Sequence, residues 1–155
     1  FSVRHLGIST VSGRFDTFSG ELVVGPELTD TAVSLDAEMA SVNTGNAMRD
    51  GHLQGADFFA VAEHPKLTFR SSSIGQAGDG YHLAGELTVK GVTQPVVLDV
   101  SFNGTATHPA DQKARFGFQA KGSISRSAFG VSYGAPMVSD EVVLQLDAQF
   151  VAPAA

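Results

Sequence analysis

Residues 81–102 read YHLAGELTVKGVTQPVVLDVSF. Mainly apolar residues recur there at every second position on both sides of a tight turn at Lys90-Gly91. The positions on the apolar face are Tyr81, Leu83, Gly85, Leu87 and Val89 before the turn, and Val96, Leu98, Val100 and Phe102 after it. A period of two is typical of a strand with one face toward a core. The stretch therefore predicts a hairpin of two antiparallel strands.

The same alternation recurs along most of the chain. It is found in residues 1–5, 33–39, 67–69, 116–124 and 142–150. In residues 15–22 it changes phase near Asp16–Thr17, which indicates a bulge or a bend. Short turns such as Gly78-Asp79-Gly80 join the segments. Together these patterns predict an all-β fold of about eight antiparallel strands.

Eight antiparallel strands with one apolar face must either close or stack, since exposed strand edges pair with other chains. A single closed up-and-down barrel fits a meander of short turns, and a two-sheet sandwich is the alternative. A barrel of this size is wide enough either to fill itself with side chains or to hold one small ligand. Several inward positions carry small residues, which favours an interior that is partly unfilled. These positions are Ala37, Gly85, Ala120, Gly122 and Ala148.

Residues 43–65 interrupt the alternation and predict a short helical segment within residues 46–64. We expect a helix to begin near Asn46, which can cap its first turn, and Pro65 to end the segment. Its large apolar residues are expected at the mouth of the barrel. They are Met48, Leu53, Phe58 and Phe59.

Composition bounds the function of the chain. Its 155 residues (16.1 kDa) fit one domain, and 43% hydrophobic residues argue against disorder. A net charge of −6 disfavours nucleic acid as a partner. The absence of cysteine excludes thiolate metal sites and cysteine nucleophiles. No apolar run approaches the ~20 residues of a membrane-spanning helix.

Motifs for catalysis, metals and cofactors are missing. There is no Gly-x-Ser-x-Gly, phosphate-loop or His-Glu-x-x-His sequence, and the five histidines are isolated from one another. We therefore expect no enzyme activity, no metal and no cofactor. His5 shares the face of Phe1 and Val3, and we expect it to be buried and hydrogen-bonded.

A polar cluster, Arg49, Asp50 and His52, lies within the helical segment and is followed by Asp57. One interpretation is structural: helix capping and an Arg49–Asp50 pair hold the segment over one barrel mouth. The other is functional: the cluster forms a polar rim above an apolar pocket and contacts the head group of an amphiphile. The residues alone leave both interpretations open.

The sequence also resembles the YceI family, the lipid- or polyisoprenoid-binding lipocalin-like proteins. The matching pieces span the chain. They are residues 1–7 (FSVRHLG), 13–15 (GRF), 49–53 (RDGHL), 57–59 (DFF), 64–69 (HPKLTF), 85–96 (GELTVKGVTQPV), Arg126, 129–131 (FGV) and 140–142 (DEV). Family members carry a further stretch that would precede Phe1, so we expect the first strand to be truncated here. Whether a signal peptide exists, and hence the compartment, is left open.

The resemblance implies one eight-stranded, extended lipocalin-like barrel over residues 1–155 that binds an amphiphile with an isoprenoid tail, a polyprenyl compound or a quinone. It also implies a possible homodimer. We expect an apolar pocket lined by Met48, Leu53, Phe58, Phe59, Phe69, Leu98, Val100, Phe116, Phe118, Phe129, Leu144 and Leu146. The expected polar rim is Arg49, Asp50 and His52. Two alternatives are a quinone-linked redox protein that uses His52 or His5, and a stress-response protein with a packed barrel.

Overall fold

The computed structural model describes residues 1–153, which fold into eleven strands and one α-helix. The strands are β1 (Ser2–His5), β2 (Ser9–Ser12), β3 (Arg14–Phe15), β4 (Phe18–Val23), β5 (Ala32–Glu38), β6 (Val42–Asn43), β7 (Lys66–Ala77), β8 (Gly80–Val89), β9 (Val92–Thr107), β10 (Ala114–Ser125) and β11 (Glu141–Val151). The helix is α1 (Ala47–Gln54), and short 3₁₀ turns lie at Leu28–Asp30, Met39–Ser41 and Arg126–Phe129. Residues 154–155, which the expected domain includes, lie outside the described residues.

Nine strands form one curled antiparallel sheet, a half-barrel, in the order β2-β1-β11-β10-β9-β8-β7-β5-β4. The short strands β3 and β6 pair separately. The expected fold class, an antiparallel all-β barrel-like sheet with one short helical segment, is confirmed. None of the helices within residues 1–153 is long and apolar enough to cross a membrane.

The hairpin of residues 81–102 forms as the alternation predicts. Strands β8 and β9 pair in register from Tyr81 opposite Val100 to Val89 opposite Val92. Lys90 and Gly91 connect them with φ angles of +52° and +74°. Two residues in the left-handed region are the hallmark of the tight turn that matches the twist of a hairpin.

The described residues form eleven strands rather than the expected eight, and the additional strands lie in the first part of the chain. Ser9–Ser12 turns back to pair with β1 over four residues, a strand too short for an alternation to be recognised in the sequence. The phase change near Asp16–Thr17 divides residues 15–22 into β3 and β4, and β3 leaves the main sheet to pair with β6. The expected helical segment is a helix of eight residues, α1, followed by turns up to Glu63.

The core lies on the concave face of the sheet, toward the end where α1 lies. Its buried residues are Met39, Phe69, Leu83, Leu87, Val89 and Phe129. Leu98, Val100 and Leu144 are partly buried and pack against this cluster. Residues of β10 and β11 farther along the strands, including Phe116, Phe118 and Leu146, are half-buried.

Two of the small inward residues make room for neighbouring side chains. A Cβ atom on Gly85 would lie 2.5 Å from Cζ of Phe69, and one on Gly122 would lie 2.7 Å from Cδ2 of Leu98. The interpretation that small residues leave the interior unfilled is therefore wrong at these two positions, because large side chains on adjacent strands lie over them.

Candidate functional site

A cavity of about 420 Å³ opens at the end of the half-barrel where α1 lies. Three elements contribute most of its lining: the β1–β2 hairpin, the segment from Thr44 to Phe59 that contains α1, and the connection between β10 and β11. Single residues of β3, β7, β8 and β10 and two of β11 complete it. Its volume falls within the ~300–1,000 Å³ of small-molecule sites. The lining is mainly aliphatic and aromatic, so the cavity can take an apolar chain.

Aromatic rings form one wall of the cavity. The ring centroid of Phe15 lies 5.6 Å from that of Phe1 and 6.3 Å from that of Phe59. Phe1 begins the chain before β1, Phe15 belongs to β3, and Phe59 follows α1. This row of rings therefore joins the first strands to the helical segment.

A second aromatic cluster lies at the mouth of the cavity. The ring centroids of His52, Phe58 and Tyr133 are 5.0 to 5.3 Å apart, each pair edge to face. Nε2 of His52 also lies 2.8 Å from Oδ2 of Asp57. The side chains of this His–Asp pair are about half exposed, 47% and 51%. The cluster connects α1 to the β10–β11 connection across the opening.

Thr44 holds the other two residues of the expected polar rim. Arg49 donates from Nε to Oγ1 of Thr44 and from Nη2 to its carbonyl oxygen, both at 2.8 Å. The carboxylate of Asp50 accepts from the backbone N–H of Thr44 at 2.9 Å and from its hydroxyl. Asn46 caps α1 by accepting from the N–H of Arg49. The expected Arg49–Asp50 pair is therefore replaced by two separate anchors on one threonine.

Arg126 is the one buried charged side chain within residues 1–153, with 6% exposure, and it lines the cavity. Nε donates to the carbonyl of Ser139, Nη1 to those of Val131 and Tyr133, and Nη2 to that of Val138, at 2.8 to 3.0 Å. The guanidinium thus fixes the path of the connection that forms one side of the cavity.

Asp140 anchors the other end of this connection. Its carboxylate accepts from the hydroxyl of Ser125 and from the backbone N–H of Ser127. These hydrogen bonds, led by that from Ser125, hold the pKa of Asp140 below its ordinary value because they favour the charged form. The carboxylate thereby stabilises the 3₁₀ turn that carries Arg126 and Phe129.

Seven of the fifteen residues expected at the site line the cavity. They are Leu53, Phe58, Phe59, Phe129 and Leu144 from the apolar set, and Arg49 and His52 from the polar rim. Asp50 borders a shallow depression on the outer side of α1 instead. That the seven residues contact a ligand remains a prediction.

The remaining expected residues lie outside the lining. Met48 is 87% exposed. A separation of five residues places it about 140° around the helix from Leu53, so the two cannot share a face. Phe69, Leu98 and Val100 belong to the core or pack against it. Phe116, Phe118 and Leu146 lie farther along β10 and β11, where the ring of Phe118 contacts those of Phe102 and Phe150.

Most of the lining was not expected from the sequence, and two parts of it are informative. His5 is exposed and borders the cavity, so the expectation of a buried, hydrogen-bonded histidine is wrong. It lies at the end of β1, where the chain turns away from the sheet. The β10–β11 connection contributes a set of residues without regular alternation: Val131, Tyr133, Met137 and Val138. The only signal for them is an apolar content that is unusual in a connection.

Comparisons with known proteins agree with this architecture. The family model described as YceI-like domain matches residues 1–150. A UPF0312 protein of Staphylococcus aureus (strain USA300) is 34% identical over 158 residues, covering 99% of this chain and 88% of that protein. The crystal structure of a Campylobacter jejuni YCEI protein is 32% identical, with a TM-score of 0.85 and coverage of 99% and 92% of the two chains. A domain from Saccharophagus degradans shares the fold at 18% identity, with a TM-score of 0.70 and coverage of 98% and 91%. The chain therefore belongs to the YceI-like domain family.

Proposed function

We propose that the protein binds an amphiphile with a long isoprenoid tail and carries or sequesters it, with the tail in the cavity beside α1. The observation that carries the proposal is the apolar cavity of about 420 Å³, which opens to solvent through a mouth lined by polar and aromatic side chains. The Saccharophagus degradans structure of the same fold is described as a polyisoprenoid binding domain, which supports this ligand class.

The energetics favour the tail over the head group as the source of affinity. Each buried methylene contributes roughly 0.8 kcal/mol, so an isoprenoid chain gains several kcal/mol from burial. An ordinary hydrogen bond to the head group adds about 0.5–1.5 kcal/mol. Residues at the mouth therefore set the preference among head groups more than the overall affinity.

Mass spectrometry of an organic extract of the purified native protein tests the proposal. We expect a polyprenyl compound or a prenylated quinone in near-stoichiometric amount. The same extraction from protein that was delipidated and refolded serves as the blank. The proposal fails if the native protein carries no such lipid and the refolded protein takes up no prenyl chain that is supplied to it.

One observation favours a second candidate, an enzyme that acts on a bound quinone. The carboxylate of Asp57 lies 2.8 Å from Nε2 of His52, an arrangement that can orient a general base. The cavity lining, however, includes no serine, lysine or carboxylate within residues 1–153 to act as a nucleophile, and the hydroxyl of Thr44 is already bonded to Arg49 and Asp50. We therefore propose binding rather than turnover as the role of the site.

Replacing His52 with alanine separates the two candidates. As a rim residue, His52 should change head-group preference and weaken binding only a few-fold, in line with the loss of one hydrogen bond. Reproducible turnover of a quinone by the wild-type protein that is abolished in a folded His52→Ala variant would establish the enzyme instead.

A further inference from the structure

The cavity lining carries charge of only one sign. Its ionisable side chains of the basic type are Arg49, Arg126, His5 and His52, and no carboxylate is among the lining residues described. This contrasts with the whole chain, in which 16 acidic residues outnumber 10 lysines and arginines. Two acidic residues lie beside the lining on α1's side. Asp57 contacts His52 and is half exposed, and Asp50 accepts from Thr44, the residue that also holds Arg49.

Arg126 places a full positive charge against an apolar interior. Its hydrogen bonds all go to backbone carbonyls, and no carboxylate oxygen within residues 1–153 lies within 4.0 Å of it. Carbonyl dipoles satisfy its donors but leave the net charge in place. Asp140 attracts it from across the 3₁₀ turn, yet this carboxylate is exposed and is held by Ser125 and Ser127. A buried charge without a partner ion favours the binding of an anion nearby.

Arg49 supplies a guanidinium that is anchored by hydrogen bonds but keeps N–H groups that can still donate to a ligand. Its Nε and Nη2 atoms hold Thr44, whereas Nη1 has no hydrogen-bond partner among the residues described. The side chain of His5 has none either within this part of the chain. The lining therefore includes a charged hydrogen-bond donor, the Nη1 group of Arg49, next to the apolar cavity.

We propose that the head group of the ligand is an anion, a carboxylate or a phosphate, which Arg49 binds and the field of Arg126 stabilises. The inference rests on the proposed function and narrows its ligand class, because neutral quinones and alcohols gain less from the positive lining than an anion does. Charged hydrogen bonds from a guanidinium to such oxygens are stronger than neutral ones.

Three probes with the same C15 tail test the head group directly: farnesyl monophosphate, farnesoic acid and farnesol, titrated by calorimetry into the delipidated protein. We expect one or both anions to bind at least about tenfold more tightly than farnesol. Tight binding of both acids indicates a general anion site, and tight binding of the monophosphate alone indicates a phosphate site. Either result supports the proposal.

Substitutions of Arg49 test whether this residue causes the preference for an anionic head group. Arg49→Gln should reduce anion affinity toward that of farnesol, and Arg49→Lys, which keeps the charge, should retain most of the preference. Arg14→Gln is the matched control, because Arg14 is exposed, pairs with Asp16 and lies outside the lining.

Equal affinity for the three probes, or an anion preference that Arg49→Gln leaves intact, would overturn the anionic head group and leave the isoprenoid-binding proposal standing. Failure of all three probes to bind would overturn both.

Discussion

Phe59 links the wall of the cavity to the segment that follows α1. Its ring lies 6.3 Å from that of Phe15, and it packs against the buried core cluster. Phe59→Asp should weaken retention of a fluorescent prenyl probe at least tenfold, because a carboxylate facing an apolar tail loses its hydration. Fluorescence titration measures the effect, and circular dichroism shows whether the fold is retained.

Met48→Asp is the matched control for this change. It adds the same charge to the same segment, but Met48 is 87% exposed and lies outside the cavity lining. Probe affinity should stay within about twofold of wild type. If Phe59→Asp unfolds the chain, Leu53→Asp tests the same wall from α1. Wild-type retention in a folded Phe59→Asp or Leu53→Asp variant would remove this segment from the binding site.

The contrast between Leu53 and Met48 also shows how far residue patterns can predict a site. Composition alone marks both as apolar residues of one short helix. Their spacing of five residues shows that only one of them can face the cavity, because residues share a helix face at spacings of three or four. The hydrogen bonds of Arg49 and Asp50 could not be predicted from the sequence, because both side chains bond to Thr44 and its position depends on the tertiary fold.

Gly85 acts at the scale of the sheet. Its missing side chain leaves the space that the ring of Phe69 fills, and the carbonyl oxygen of Arg70 also lies 2.5 Å from where a Cβ would be. Gly85→Ala should therefore lower the free energy of unfolding by about 1–3 kcal/mol through overpacking. Urea denaturation measures the change.

Gly75→Ala is the control for Gly85→Ala. Gly75 lies in β7, and a Cβ atom there would meet nothing within 4 Å. Its substitution should change stability much less, or raise it slightly by restricting the unfolded chain. Equal stability of the two variants would contradict the close packing of Phe69 over Gly85.

The β10–β11 connection is expected to make the stability of the protein sensitive to acid. The pKa of Asp140 in the folded protein lies below its ordinary value, chiefly because Ser125 and Ser127 donate to it. Its contribution to stability is thus complete above the ordinary pKa of about 3.9 and is lost as the pH falls through the lower folded pKa. Asp140→Asn should lower the Tm at pH 6, and the difference from wild type should shrink below about pH 4. Thermal melts from pH 3 to 7 check this, and a difference independent of pH would contradict it.

Strands were more predictable than connections for a physical reason. A strand that is buried on one face must alternate, so the pairing of β8 with β9 could be anticipated residue by residue. The connection of residues 126–140 has no such period, and its conformation depends on the four backbone carbonyls that Arg126 collects. Apart from Phe129, the residues of this connection that line the cavity were therefore not predicted from the sequence.

On the scale of the molecule, two apolar regions share the concave face of the sheet. One is the cavity beside α1, and the other is the cluster of Phe102, Phe118 and Phe150 farther along β9, β10 and β11. The core residues Phe69, Leu83 and Leu87 are buried on this face. The sequence indicated an apolar interior but could not assign the binding site to one of the two regions.

Photolabelling decides where the tail binds. A C15 isoprenoid with a diazirine at the far end of its tail is bound to the delipidated protein, irradiated, and located by peptide mapping, with excess unlabelled prenyl chain as the competitor. The account predicts that the probe labels residues 53–59 and residues 124–138, the two sides of the cavity, and that the competitor suppresses this labelling. Competed labelling confined to the strands around Phe102, Phe118 and Phe150 would contradict it.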